Sequence, residues 1–564
     1  MSVHTFIKRI AQQAQDCPDA SAVIYLDRRE REYASLSYSE LDRDARKIAA
    51  GMLASKLDNG PVLLIFPTGP EFLISLLGTF YAGIVAAAMP APRQGESQQR
   101  TANVFRNGKF HAILTTQDLS FDFGHRDQMD LSPAIYRYDN LVSADTPAKA
   151  NWLGLELQAE APLLRQYTSG STQDPRGIVL NNRCLLANFD RLARRLNGTR
   201  TSCFVNWMPH YHDMGLIGNL LFPLYLGAHS VQMSPLTFMQ RPLRWLRTFS
   251  RYHGNIGGSP PFGYDLCVDT VTPEQVAELD LSHWHAAVCG AEPVYRSTLS
   301  RFTAHFKPAG LSSRTIFAAY GLAESTLLVA GGNPTTDENK KNTLNPRTLP
   351  TDRAPCYLDT ETSNNLSIVD PDTSQPQPDG KIGEIWLRGK SVAIGYDEDL
   401  SNSDSRFNAT IAEHSDSTFL RTGDLGFVEG QQLFLTGRIK DTLIVNGTNF
   451  TATDIEWIAA QDHSWLNLSA AAAFHCEEAD SGAVALLIES RKKKLDPALI
   501  IEAEKRIRTQ VLEQAGLVLK IIGILPRGTL PKTSSGKVRR KQVRERFLDG
   551  TFSTHSTTLV PVKR

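Results

Sequence analysis

The sequence predicts an α/β protein: a large N-terminal region of several subdomains, two stacked α/β layers plus a β-rich layer, and then a small mobile α+β C-terminal domain. Three patterns predict it. Short apolar runs alternate with amphipathic segments through most of the chain, as parallel sheets covered by helices require. A polar stretch from Pro371 to Gly380 leads into Gly383-Glu384-Ile385-Trp386-Leu387, whose alternation reads as a strand of the β-rich layer. After Gly437 the pattern starts afresh, and the remainder has the size of one compact domain of about 120 residues. The expected division is 1–438 and 439–564.

In chain order, Val62 to Phe66, Ala112 to Thr115, Ser202 to Trp207, Ala286 to Cys289 and Thr315 to Ala318 read as strands. Tyr38 to Leu53 and Arg241 to His253 read as amphipathic helices. The uncharged stretch Phe72 to Met89 approaches the length of a bilayer span. It holds Gly78 and Gly83, lacks a basic flank and stops at Pro90, so a turn at Thr68-Gly69-Pro70 followed by a buried helix is the better reading. Asn333 to Pro355 is a polar excursion with few apolar residues. In the C-terminal part, Ala471 to His475, Val484 to Ile488 and Ile521 to Leu525 read as strands and Pro497 to Ala515 as a helix.

Composition narrows the function classes. The chain has 564 residues, 41% hydrophobic and 21% charged, with 60 basic side chains balancing 60 acidic ones. That balance excludes wholesale disorder and gives no long-range field toward nucleic acid or an anionic membrane. The 7 cysteines are scattered and form no C-x-x-C pair, which suits a reducing compartment and argues against structural zinc. Met1 to Pro18 has no apolar block, so a cytoplasmic address without integral membrane insertion is expected.

The strongest local signal is Tyr167-Thr168-Ser169-Gly170-Ser171-Thr172-Gln173-Asp174-Pro175-Arg176-Gly177, followed by apolar Ile178-Val179-Leu180. Small hydroxyl residues and glycine let backbone N–H and side-chain OH groups close around phosphate oxygens, with Arg176 as counter-charge. It is not a Walker loop, and a Ser/Gly-rich hairpin is the bland alternative. Four segments follow: Tyr320-Gly321-Leu322-Ala323-Glu324, Arg421-Thr422-Gly423-Asp424, Gly437-Arg438-Ile439-Lys440-Asp441 and Pro531-Lys532-Thr533-Ser534-Ser535-Gly536-Lys537. His212-Asp213 can be read as an acid/base couple, as a metal pair with His210, or as structural; two histidines alone do not make a metal site.

With these segments in this order, almost the whole chain resembles the adenylate-forming superfamily of acyl-CoA synthetases, nonribosomal adenylation domains and luciferases. It looks most like the fatty acyl-AMP ligases, through Trp207-Met208-Pro209-His210-Tyr211-His212-Asp213-Met214-Gly215-Leu216-Ile217-Gly218, Gly290-Ala291-Glu292-Pro293-Val294, Tyr264-Asp265-Leu266-Cys267 and the excursion after Glu324. The resemblance implies a reaction that turns a fatty acid and ATP into acyl-adenylate, then passes the acyl group to the phosphopantetheine thiol of an acyl carrier protein. It makes Lys537, His212 and Glu324 the catalytic candidates, with Glu324 also the Mg²⁺ ligand, and assigns Thr168, Ser169, Gly170, Ser171, Thr172 and Arg176 to the phosphates. Gly290, Ala291, Glu292 and Tyr320 would frame the adenine, with Gly321 also at the ATP site and Asp424 and Arg438 at the ribose. His212, Met214, Ser259, Phe262 and Gly263 would line the acyl pocket, and Lys440 would be the hinge of a swinging C-terminal domain.

Each assignment has a plain rival. Glu324 could cap a helix, Asp424 could pair with Arg421, and Lys537 could be one of several solvated cations with Lys532, Arg539 and Arg540. The chain also departs from the family pattern: Gln173 stands where glycine is common, Arg176 where lysine is usual, and Ser259-Pro260-Pro261-Phe262-Gly263 and Cys356-Tyr357 replace the usual segments. Arg491-Lys492-Lys493-Lys494 reads as a solvated loop or, less simply, as a dock for an acidic carrier protein. A coenzyme A ligase and a non-catalytic nucleotide or lipid binder are the rival functions.

Overall fold

The computed structural model describes every residue except 1–4, 93–95, 117–133, 143–158, 168–175, 333–351, 398–404, 412–416, 446, 462, 464, 477–482, 493–495, 533–536 and 553–564. Among the described residues the largest sheet has eight strands, in the order Leu328–Gly331, Ile316–Gly321, Ala286–Cys289, Ile256–Ser259, Cys203–Asn206, His229–Met233, Ser21–Leu26 and Glu32–Ser37. The six inner strands are parallel, and each edge strand runs antiparallel to its neighbour. A second sheet of seven strands runs Gly395–Tyr396, Gly177–Asn181, Pro162–Tyr167, Ala86–Met89, Val62–Ile65, Ala112–Thr115 and Ala134–Arg137. The five-stranded third sheet is antiparallel throughout: Cys356–Tyr357, Gln432–Arg438, Leu420–Glu429, Gly383–Leu387 and Leu366–Val369.

The short apolar runs become parallel strands because every residue of Val62–Ile65, Ala86–Met89 and Ala112–Thr115 is buried, as strands covered on both faces must be. Helix Asn182–Leu196 touches both large sheets, and its Phe189 packs with Phe6 and Phe222 at ring separations of 5.7 and 5.9 Å. Helix Tyr38–Ala54 starts in a reciprocal cap between Ser37 and Glu40. It lies so close to helix Pro70–Tyr81 that a Cβ on Gly78 would sit 2.6 Å from Ile48 Cγ2.

The stretch Phe72 to Met89 is not one helix. The helix closes at Tyr81, Gly83 turns the chain at φ 73°, and Ala86–Met89 runs parallel to Val62–Ile65. A doubly buried strand and a buried helix are both continuous apolar runs, so periodicity does not separate them. Two smaller differences have similar local causes: Pro242 delays the second amphipathic helix to Leu243–Tyr252, and the strand at Thr315 runs on to Gly321. No described helix is long and apolar enough to cross a membrane.

Beyond the turn Ile439–Asp441 the chain forms the hairpin Thr442–Val445 and Thr448–Thr451, then the sheet Leu466–His475, Val484–Ser490 and Leu519–Leu525. Helices Ala452–Ala460 and Pro497–Ala515 bury Ile455, Ile458, Ile500 and Ile507 with Leu486 and Ile524. On the other side of that sheet Phe474, Leu487 and Leu525 pack with Val543 of helix Arg540–Leu548. Tyr295 is the member of the first of these clusters that comes from the N-terminal region.

Candidate functional site

The site candidates gather at the carboxyl ends of four neighbouring parallel strands, where ligands bind in open α/β sheets. Tyr320 ends strand Ile316–Gly321, Gly290-Ala291-Glu292 follows Ala286–Cys289, Ser259 ends Ile256–Ser259, and Trp207 follows Cys203–Asn206 ahead of His212. Ala291 takes a left-handed φ of 67°, so the backbone bends sharply after the strand. A Cβ on Gly290 would stand 2.7 Å from Ala319 O, which fixes glycine there.

Asp424 and Arg438 lie directly opposite each other in the antiparallel pair Leu420–Glu429 and Gln432–Arg438. Arg438 Nε donates to Asp424 Oδ1 at 2.7 Å, and the Tyr320 hydroxyl donates to Oδ2 at 2.8 Å. Thus one carboxylate ties the β-rich sheet to the eight-stranded sheet. The Asp424 charge holds the Arg438 guanidinium well above the ordinary arginine range. Burial, with Asp424 beside it, pushes the Tyr320 hydroxyl well up. Arg421, the rival partner, instead meets Glu384 at 2.7 Å, and Glu384 also accepts from Trp386 Nε1 and Gly423 N–H.

Lys537 comes from the C-terminal part yet sits among these groups. Burial lowers its pKa below the ordinary lysine value; Glu292, Asp213 and Asp424 oppose that shift and Arg438 adds to it. Lys537 is thus half-buried among charged groups rather than one of several freely solvated tail cations. Glu292 shows the converse: burial raises its carboxyl, and Lys537, Lys532 and His212 hold it down. At Asp213 burial works to raise the pKa, but the neighbouring His212, the hydrogen bond from Met214 N–H and Lys537 outweigh it and leave it lowered. His212 Nδ1 is 2.8 Å from Asp213 Oδ1.

A second cluster surrounds Glu324, which lies in the single turn Ala323–Ser325. Its Oε1 accepts from the Tyr396 hydroxyl at 2.9 Å; Arg406 Nη1 donates to the same hydroxyl at 2.9 Å, and the Arg176 guanidinium lies 3.9 Å over the Tyr396 ring. Asp397 braces the two ends of the Ser/Gly-rich loop, accepting from the Tyr167 hydroxyl at 2.6 Å and from Gly177 N–H at 3.1 Å. A Cβ on Gly177 would fall 2.5 Å from that carboxylate. Thr168, Ser169, Gly170, Ser171 and Thr172 lie outside the described residues, as does most of the excursion from Asn333. Sequence reading missed Tyr396, Asp397 and Arg406: a lone Gly-Tyr-Asp carries no spacing signal, and only folding brings it to residues far away in the chain.

The acyl-pocket candidates share one wall. Gly263 packs so tightly that a Cβ would meet Ser259 Oγ at 2.0 Å and Trp207 Cζ2 at 3.0 Å. Phe262 sets its edge against Trp207 at 5.9 Å, and Met214 Cε lies 2.7 Å from where a Cβ on Gly258 would be. Met214 opens the i→i+5 helix Met214–Leu221, a rare form common at functional sites, where Asn219 Nδ2 donates to Met214 O at 2.7 Å. His210 is buried with its ring 4.0 Å from Phe72, and burial pushes its pKa down to about 4, so it is a neutral packing group. Among the described residues, three potential metal ligands converge at His253, Asp280 and His283. These are exposed and lie near the amino ends of the strands, at the opposite edge of the sheet.

The stacked α/β sheets with a β-rich sheet and a small C-terminal part match the adenylate-forming fold of a large N-terminal and a small C-terminal domain. The chain belongs to the AMP-binding enzyme family, whose model matches residues 10–397; residues 440–557 match the AMP domain of the Disco-interacting protein 2-like group. It is 35% identical to the medium-chain-fatty-acid–[acyl-carrier-protein] ligase JamA of Moorena producens, over 94% of this chain and 93% of that one. It is 30% identical to the long-chain-fatty-acid–AMP ligase FadD26 of Mycobacterium marinum, over 98% of both. Among solved structures, the fatty acyl-adenylate ligase of L. pneumophila in complex with acyl adenylate and pyrophosphate matches with TM-score 0.69 and 28% identity, over 98% of this chain and 97% of that one.

Proposed function

We propose that this protein activates a fatty acid with ATP to an acyl-adenylate, releasing pyrophosphate, and then passes the acyl group to the phosphopantetheine thiol of an acyl carrier protein. One carboxylate oxygen of the acid attacks the α-phosphorus as the bond to pyrophosphate breaks. The thiol sulfur then attacks the acyl carbonyl as AMP departs. The observation that carries this reading is the position of Lys537, brought from the C-terminal domain into a ring of charges at the carboxyl edge of the main sheet. The relatives named as fatty-acid ligases support the substrate and the carrier protein.

The first step crowds negative charge around one phosphorus, so positioned cations supply most of the catalysis and no protein nucleophile is needed. In this reading Lys537 neutralises the carboxylate and α-phosphate, and its compact charge on a flexible stem suits a group that must later withdraw. Asp424 accepts from the ribose hydroxyls, held by Arg438 and Tyr320; Gly290, Ala291 and Gly321 edge the base. Arg176 with Thr168 to Thr172 binds the outer phosphates. His212 and Met214 stand where the acid meets the phosphate, with Ser259, Phe262 and Gly263 along the chain. The domains divide at 438/439, with Lys440 as hinge.

Glu324 fits a hard cation: it is a half-buried carboxylate with one oxygen on Tyr396, beside the cationic groups that would face the phosphates. It would hold Mg²⁺, which would shield phosphate charge when bound. Incubation with ATP, Mg²⁺ and a panel of fatty acids, read by mass, should give acyl-AMP, and carrier protein should then be acylated. No acyl-adenylate from any chain length would overturn the reading, and acyl-CoA formation as fast as carrier acylation would overturn its second half.

A further inference from the structure

The position of Lys537 needs an explanation, because the lysine belongs to a domain with its own core. The described residues include a dense contact between the two parts at Tyr295 and Arg353. Segment Asp352-Arg353-Ala354 runs alongside Val294 to Ser297: Tyr295 and Arg353 form an antiparallel bridge, Ala354 N–H donates to Val294 O at 2.9 Å, and Asp352 Oδ2 accepts from Ser297 N–H at 2.7 Å. From this paired base Arg353, only 4% exposed, reaches the C-terminal domain. Its Nη2 donates to Thr453 Oγ1 at 2.7 Å and to Asp454 Oδ1 at 2.6 Å, while its guanidinium lies 4.8 Å over the Tyr295 ring. Tyr295 in turn stacks on Trp457 at 5.5 Å and 15°, and its hydroxyl donates to Thr453 O at 3.2 Å.

Both halves of this contact are wired to the site. On the N-terminal side, Tyr295 ends the loop that begins Gly290-Ala291-Glu292, and Glu292 faces Lys537. On the C-terminal side, Thr453, Asp454 and Trp457 share helix Ala452–Ala460 with Glu456. Glu456 Oε1 accepts from Arg540 Nη2 at 2.8 Å, and Arg540 Nη1 meets Asp441 beside the hinge candidate at 3.2 Å. Arg540 opens the helix that directly follows the Lys537 segment. A cation that donates to several fixed acceptors across a domain boundary holds one geometry, because each hydrogen bond sets the direction of the planar guanidinium.

We propose that Arg353 and Tyr295, closing on Thr453, Asp454 and Trp457, form a clamp that positions Lys537 for adenylation and must open before acyl transfer. Arg353 and Tyr295 are positioning residues, since they act on the lysine through helix Ala452–Ala460 and Arg540. The inference rests on the proposed reaction, so the test separates the two half-reactions. Arg353→Ala should lower fatty-acid-dependent ATP–pyrophosphate exchange at least tenfold with the KM for ATP within about twofold, because the nucleotide contacts stay in place. Supplied with preformed acyl-adenylate, the same variant should acylate a carrier-protein or small-thiol acceptor at least as fast as wild type. Trp457→Ala should behave alike from the other side, and Arg353→Lys should restore part of the exchange.

A function-independent arm uses limited trypsin cleavage after the exposed Arg438 and Lys440, which should quicken in Arg353→Ala while circular dichroism stays unchanged. Unaltered exchange and cleavage in both variants would overturn the clamp, as would equal loss of both half-reactions. Absence of acyl-adenylate in the wild type, with quickened cleavage in the variants, would instead overturn the reaction and leave the clamp standing.

Discussion

Asp424 and Lys537 meet at one site but are held there by different means. Asp424 faces Arg438 across an antiparallel ladder, so strand register alone sets the pair, and Tyr320 locks it to the neighbouring sheet. Lys537 is carried in by a separately packed domain, and the described links that hold that domain in place are side-chain contacts such as Arg353 with Asp454 and Arg491 with Asp269. The comparison teaches that, in the proposed reaction, the groups for the nucleotide are built into the sheet, whereas the cation for adenylation is hung on side-chain contacts between two separately packed parts. Within the basic run, Arg491 meets Asp269 while Lys492 is exposed; Lys493 and Lys494 lie outside the described residues.

The sharpest way to break the comparison is Lys537→Ala. Exchange of pyrophosphate into ATP should fall by about 10²–10³-fold, as when one preorganised charge is taken from a transition state, while ATP binding by calorimetry stays near wild type. Comparable loss of binding would make the lysine a fixed contact like Asp424. Arg438→Ala should do the reverse: it frees one oxygen of a carboxylate still held by Tyr320, so ATP should bind about tenfold more weakly, roughly 1.4 kcal/mol, with little change in the rate at saturation.

pH gives a third test. Burial lowers the Lys537 pKa, and only the charged form can neutralise phosphate, so exchange should decline as pH rises through a value below that of an ordinary lysine. In Lys537→Arg, whatever activity survives should lose that alkaline limb, because the guanidinium stays charged. Tyr396→Phe removes the hydroxyl that links Glu324 and Arg406, and should shift the Mg²⁺ concentration for half-maximal exchange a few-fold.

The smallest effect is one of stability. Burial raises the Asp265 carboxyl to about 6 despite Arg301 beside it. A carboxyl raised above its free-chain value of about 3.9 favours the native state when protonated, so its contribution falls as pH climbs from about 4 to 6 and stays lost above that. Asp265→Asn should therefore raise the thermal midpoint at pH 7.5, by the equivalent of about 1 kcal/mol, and leave it unchanged near pH 4.

Much of the architecture was legible because periodicity is a local property. Ala286–Cys289 and helix Pro497–Ala515 follow from apolar runs and helical spacing alone, and Asp496 caps the latter by accepting from Ala498 N–H. Phe72 to Met89 was only half legible, since complete burial erases the difference between the two periods. In the candidate site, motif residues such as Tyr320, Asp424, Arg438 and Lys537 were legible as types and order. Tyr396, Asp397 and Arg353 were not, for their meaning lies in partners distant in sequence.

By itself, then, the sequence determined the elements, the residue types able to hold phosphate, ribose and cation, and their order along the chain, because these depend on neighbours and spacing. Only the tertiary structure decided which charges share a low-dielectric space: that Asp424 answers to Arg438 rather than Arg421, that His210 is a packing group, and that Lys537 faces Glu292. Electrostatic strength depends on distance and solvent exclusion, and both are set when sheets stack and a second domain closes over them.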